Sequence, residues 1–94
     1  MQLRSSSIFD KDVKKLKKEN AKLAAKLWDL LLSIQASSYT GVGKPEALKG
    51  NLQGWWSRRI DEKHRLIYKI ENEEDEEQEK IIVLASCYGH YGDK

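Results

Sequence analysis

The pattern of apolar and polar positions divides the chain into a helical first half and a strand-rich second half. From Ala21 onward, Leu23, Leu27, Leu30, Leu31 and Ile34 recur at i, i+4, i+7, i+8 and i+11, one face of an α-helix. Upstream, Ile8 or Phe9, Val13 and Leu16 form a more ragged stripe among Lys11, Lys14, Lys15, Lys17 and Lys18. That stripe predicts a shorter helix with Ser7 as its cap and Asp10 in its first turn. Asn20 interrupts or re-caps the helical region, and a short strand is expected before it, around Gln2–Ser6. Residues 36–54 read as a long connection with little regular structure, the kind that is functional or disordered in a compact domain.

Three strands are predicted to follow. Trp55–Ile60 ends at the turn Asp61-Glu62-Lys63. His64–Ile70 alternates, with Leu66, Tyr68 and Ile70 on one face and Arg65, Ile67 and Lys69 on the other. Lys80–Cys87 is nearly all apolar and is expected to be the central, most buried strand. The order β-α-α-β-β-β predicts an α+β fold, an antiparallel sheet with two N-terminal helices packed on one face. Trp28 and Leu32 fall off the apolar face of the second helix and suggest a partner surface.

Composition narrows this picture. A chain of 94 residues implies a single domain over 1–94. With 39% apolar and 34% charged residues it is neither fibrous nor wholly disordered. No apolar run approaches the roughly 18 residues of a membrane span. The lone Cys87 excludes an internal disulfide, and no Cys/His cluster has zinc-ligand spacing, so neither metal nor cofactor is expected. With no apolar leader segment either, the expected address is cytoplasmic.

The net charge of +2 conceals an asymmetry. Residues 71–80 hold 7 of the 15 acidic residues and 1 of the 17 basic ones. The rest of the chain is therefore strongly basic, which points to a polyanionic ligand, nucleic acid being the commonest. The acidic stretch reads either as a self-repelling hairpin tip or as a nucleic-acid mimic folded over the basic site.

Several residues hold chemistry in common. Glu46 follows Pro45 in the long loop, Arg58, Arg59 and Arg65 sit on two adjacent strands, and His90 and Tyr91 follow the last strand. A carboxylate, a histidine and an arginine suffice to cleave RNA without a metal. A base removes the ribose 2′-OH proton, the oxygen attacks the adjacent phosphate, and an acid protonates the departing 5′-oxygen. DNA lacks that hydroxyl. Each residue also has a plain structural reading. Pro45-Glu46 is a good helix start, Arg58 and Arg59 can blunt a sheet edge, and Arg65 can pair with Glu62 or Asp61. His90 can be solvated in a frayed tail, and Tyr91 can simply pack. His64 reads as structural.

The segment Gly43–Ile70, with GKPEALK, WWSRRI and EKHRLIY in that order, closely resembles the YoeB/Txe toxins of the RelE superfamily, and Cys87-Tyr88-Gly89-His90-Tyr91 looks like their C-terminal Cys-x-x-His-Tyr. The resemblance implies a microbial-ribonuclease-like fold and the toxin of a type II toxin–antitoxin pair that cuts mRNA in the ribosomal A site. The products would carry a 2′,3′-cyclic phosphate or 3′-phosphate and a 5′-hydroxyl. By position, Glu46 would be the general base, His90 the general acid, Arg65 the phosphate clamp, and Tyr91 an orienting group. Lys49 and Arg59 would add positive charge around the phosphate, and Arg58 is counted with them as RNA-binding. Lys44 and the lysine-rich first helix would touch ribosomal RNA. The implied partners are a YefM-like antitoxin and a second copy in a homodimer, with Trp28 and Leu32 serving either that contact or the antitoxin; no membrane is implied. Gly89, just before His90, departs from the family pattern and is expected to loosen the backbone there. The long acidic loop is a further departure. The alternative is a non-catalytic RNA-binding or antitoxin-bound corepressor module on the same scaffold.

Overall fold

In the computed structural model, which describes residues 2–89, two helices and five strands follow one another along the chain. They are β1 (Gln2–Ser5), α1 (Ser7–Glu19), α2 (Ala21–Ala36), β2 (Glu46–Ala47), β3 (Trp56–Arg59), β4 (Arg65–Glu71) and β5 (Ile81–Ser86), with a 3-10 turn at Gly50–Leu52. No described helix is long and apolar enough to cross a membrane.

Caps fix the helix ends. Ser6, one residue before the expected cap, accepts from the Phe9 amide at 2.9 Å and donates its hydroxyl proton to the Ala85 carbonyl at 2.7 Å. It thereby starts α1 and ties it to β5. Asn20 ends α1 and starts α2, its side chain accepting from the Lys22 amide. At the far end of α2, Lys80 donates to the Ile34 and Gln35 carbonyls, which satisfies acceptors that the helix leaves unpaired.

The sheet order is β1-β5-β4-β3-β2. β2, β3, β4 and β5 pair antiparallel, but β1 lies parallel to β5, so the sheet is mixed rather than purely antiparallel. Hairpin logic orders the strands of the second half. It does not govern β1, which reaches β5 only after both helices and three other strands. The middle position belongs to β4, not to β5 as its composition suggested. β5 is one strand in from the edge, protected there by β1.

Leu66 and Tyr68 of β4 and Ile82 and Leu84 of β5 point to the helices, and with Phe9, Leu16, Leu27, Leu30, Leu31 and Ile34 they form the core. Both helices therefore cover one face of the sheet. The alternate positions, Arg65, Ile67 and Lys69 of β4 and Val83 of β5, lie on the face without helices. Ile67 pairs with Ser86 and Tyr68 with Leu84, so Ala85 is an extra residue in β5. The bulge flips the alternation and returns Cys87 to the core, fully buried. Burial, and then Asp12, push its thiol pKa up to about 12.

The acidic segment is anchored away from Arg65. Glu71 pairs with Arg4 at 2.9 Å, and Glu73 accepts from Ser38 at 2.8 Å. Arg65 opens β4 and Glu71 closes it, so the two ends are about 20 Å apart at a rise of about 3.3 Å per residue. This placement favours the hairpin-tip reading of the acidic stretch over the folded-back mimic.

Candidate active site

The site begins in the loop after α2. Gly43 has φ +87°, and a Cβ there would come within 2.8 Å of Leu30 Cδ2 and 3.0 Å of the Arg59 carbonyl oxygen. Only glycine fits. The Gly43 carbonyl in turn accepts from the Arg59 amide. Lys44 also takes a positive φ, 49°, and the chain then swings out beside β3. Glu46 therefore lies not at a helix start but in a two-residue strand, paired with Ser57. Nothing periodic in the sequence could mark so short a strand.

Register brings the chemistry together. Glu46 is opposite Ser57, Ser57 is opposite Ile67, and Ile67 is opposite Ser86. Directly paired residues share a face, so Glu46 stands on the helix-free side with Ile67. Two residues along, Arg59 is opposite Arg65 on that same side. Glu46 and Arg65 are thus two strands and two residues apart, roughly 12 Å between Cα atoms. Glutamate and arginine side chains can meet over a group set between them. Like charges directly across a strand pair repel, which leaves Arg59 and Arg65 in need of an anion.

Glu46, Lys44, Lys49 and Arg59 are exposed, and among the described residues none of their side chains has a charged partner. Arg65 is half-buried. Its guanidinium donates to the Asp61 backbone carbonyl at 3.2 Å rather than pairing with a carboxylate of the turn. A hollow of about 420 Å³ is lined by Glu46, Ala47, Leu48 and Lys49. Lys49 also borders a second hollow of about 580 Å³, with Leu52, Trp55, Ile67 and Ser86 in its wall. One basic residue thus bridges the Glu46 loop and the open face of the sheet.

Arg58 has to be removed from the RNA-binding set. It is fully buried on the helix side of β3, opposite Leu66. Its guanidinium donates to the Tyr68 hydroxyl, the Ser33 hydroxyl, and the carbonyls of Val42, Ser37, Ser38 and Thr40. Its work is to hold the 37–42 loop in place. The sequence did contain a signal: Arg58 alternates with Trp56 and Ile60, two core-side residues.

His90 and Tyr91 lie outside the described residues. The segment that leads to them is tightly held. Asp12, buried on α1, accepts from the amides of Cys87 at 2.9 Å and Tyr88 at 3.3 Å. Gly89 donates its amide proton to His64 Nδ1 at 2.8 Å and accepts from the Arg65 amide at 2.9 Å. The expected looseness at Gly89 is therefore overturned. Its φ of +78° shows why glycine stands there, since this left-handed turn is strained for any other residue. Sequence reasoning kept His64 as structural, and it is fully buried. It missed Asp12 and Glu19, which resemble ordinary polar positions on a charged helix.

The mixed five-stranded sheet with two helices on one face is shared with solved bacterial toxins. The chain matches a solved "YoeB/ParE toxin from Agrobacterium tumefaciens" with a TM-score of 0.86 and 30% identity, covering 97% of this chain and 100% of that one. A Staphylococcus aureus YoeB, solved as a dimer, gives a TM-score of 0.82 at 36% identity over 97% of this chain and 98% of that one. The Staphylococcus aureus protein has also been solved in a heterotetrameric complex with YefM. In sequence, toxin RelK of Mycobacterium tuberculosis is 47% identical over 70 residues, 74% of each chain. Residues 6–91 match the family described as the YoeB-like toxin of bacterial type II toxin-antitoxin system, and the chain belongs to that family.

Proposed function

We propose that this toxin is a ribosome-dependent mRNA endoribonuclease, held inactive by a YefM-like antitoxin and acting without a metal. The observation that carries the reading is the register that sets Glu46, Arg59 and Arg65 on one helix-free face. Glu46 takes the 2′-hydroxyl proton as the 2′-oxygen bonds to phosphorus. Arg65 stabilises the charge that builds on the phosphorane, with Arg59 and Lys49 adding to the field. The bond from phosphorus to the 5′-oxygen breaks, and His90 gives that oxygen its proton. The products are a 2′,3′-cyclic phosphate and a 5′-hydroxyl. Tyr91 orients the scissile segment. His90 and Tyr91 take these roles from the C-terminal motif. Lys44 and the lysines of α1 hold ribosomal RNA.

Two relatives support the partner reading, the YoeB–YefM heterotetramer and the YoeB dimer of Staphylococcus aureus. Trp28 and Leu32, 51% and 45% exposed on successive turns of α2, are the apolar surface we assign to contact with a second copy.

The test is to program ribosomes with a defined mRNA, add toxin stripped of bound metal by prior EDTA treatment and dialysis, and map both new ends. The expected result is a 5′-hydroxyl fragment and a partner ending in a cyclic phosphate or 3′-phosphate. Intact message, or a 5′-phosphate end, would defeat the proposal. Expression without antitoxin is expected to arrest growth.

A further inference from the structure

The geometry points to Glu19 and His64 as a positioning pair that holds the backbone immediately before His90 and so sets the aim of the general acid. This inference rests on the functional reading above, in which His90 protonates the leaving oxygen. Three observations lead to it. The His64 ring is fully buried, yet both of its nitrogens are used: Nε2 lies 2.8 Å from Glu19 Oε2, and Nδ1 accepts from the Gly89 amide at 2.8 Å. The amide proton pointing at Nδ1 leaves Nε2 as the protonated nitrogen, so Nε2 donates to Glu19.

Glu19 in turn is fixed from three sides. It accepts from His64, from the Tyr88 hydroxyl at 2.8 Å, and from Lys63 at 3.4 Å. The His64 and Tyr88 rings also pack against each other, with centroids 4.4 Å apart.

The third observation is where the pair ends. Gly89 is gripped at both its polar atoms, by His64 at the amide and by the Arg65 amide at the carbonyl. His64 and Arg65 are neighbours in the chain. One short stretch at the start of β4 therefore supplies the proposed phosphate clamp and also fixes the residue before the proposed acid. A general acid works only within hydrogen-bond reach of its oxygen, and an ångström of misplacement costs far more in rate than in binding. Outer partners that orient metal-ligating histidines contribute about 10–100-fold, and a loss of that order is expected for partners that orient a general acid.

The experiment is single-turnover cleavage on programmed ribosomes at rising toxin concentration, with melting temperatures for every variant. His64→Gln keeps a donor near Glu19 but removes the acceptor for Gly89. It is expected to lower the maximal rate about 10–100-fold while leaving the half-saturating concentration unchanged. His64→Asn keeps an amide oxygen near the Nδ1 position but gives up the contact with Glu19, and is expected to recover only part of that loss. In a His90→Ala background, His64→Gln is expected to cost nothing further, because its effect passes through the missing acid. A full wild-type rate for His64→Gln, or a loss that multiplies undiminished on His90→Ala, overturns the inference. Should the His64 variants fail to fold, Glu19→Gln at the solvent edge takes their place; a lower maximal rate supports the pair and a wild-type rate overturns it. If His90→Ala itself cleaves as fast as wild type, the assignment of the acid has failed and the positioning role falls with it. If His90→Ala is inactive but His64→Gln is not slowed, only the positioning role has failed.

Discussion

Arg58 and Arg59 are adjacent and identical, and they have opposite fates. Arg58 points to the helices, fully buried, with its guanidinium bound to four backbone carbonyls and two hydroxyls. Arg59 points to the open face, exposed, opposite Arg65 and without a charged partner among the described residues. Strand alternation is the whole cause. A guanidinium whose donors are filled by the protein is part of the fold; one whose donors are empty is available to a ligand. By the same criterion, His64 belongs to the scaffold, since both its nitrogens are occupied, while Glu46, exposed and without a charged partner among the described residues, belongs to the proposed site.

The largest expected effect is on the open face. Replacing Glu46 by Ala is expected to slow cleavage about 10²–10⁴-fold, the usual cost of removing a general base, with little change in melting temperature. Programmed-ribosome rates and thermal denaturation check both halves. On the buried face the effects should be reversed in kind. Arg58→Ala leaves several buried carbonyls without donors and is expected to destabilise the fold by about 3–5 kcal/mol, read from urea denaturation. Against a typical total of about 5–15 kcal/mol, that is a large share. A native stability for Arg58→Ala would contradict the division between the two faces.

Arg59→Ala sharpens the comparison at the adjacent position. Stability should change by no more than about 0.5 kcal/mol. RNA affinity should fall, and the slope of log affinity against log salt should shrink by about 0.7–1, the loss of one phosphate contact. Binding isotherms at several salt concentrations provide the check.

These contrasts also define what could be read from the residues alone. The α2 face was legible because Leu27, Leu30, Leu31 and Ile34 repeat with the helical period and are all buried. The faces of β4 were legible for the same reason, with period two. Alternation said that Arg58 and Arg59 diverge, but choosing the buried one required weighing Trp56 and Ile60 as core neighbours. β2 was illegible because two residues have no period. The direction of β1 was illegible because it depends on a pairing with β5 nearly eighty positions away. Gly89 shows the opposite error. Its lack of a side chain suggested freedom, whereas here it permits a left-handed turn held at both polar atoms. In the proposed site, Glu46 and Arg65 are named by the motif, while Asp12 and Glu19 became visible only through their long-range partners.

The smallest effect concerns acid stability. His64 above all, then Tyr88 and Lys63, pull the Glu19 carboxyl from its ordinary 4.5 down to about 2. A carboxyl lowered by folding stabilises the native state when ionised. Its contribution is therefore complete above pH 4.5 and is lost as pH falls towards about 2. Glu19→Gln is expected to lessen the loss of urea stability across that window and to leave its shape elsewhere unchanged. An identical pH profile for wild type and Glu19→Gln would show that the carboxylate is not coupled to folding.

In the proposed reaction, Glu46, Arg59 and Arg65 act on one backbone phosphate through the neighbouring 2′-hydroxyl. The most direct measurement replaces that single hydroxyl by hydrogen in a ribosome-bound mRNA, at the nucleotide on the 5′ side of the cut. Cleavage at this bond is expected to disappear while toxin binding to the programmed ribosome is unchanged. Cleavage of the deoxy-substituted message at the same bond and the same rate would contradict that reaction.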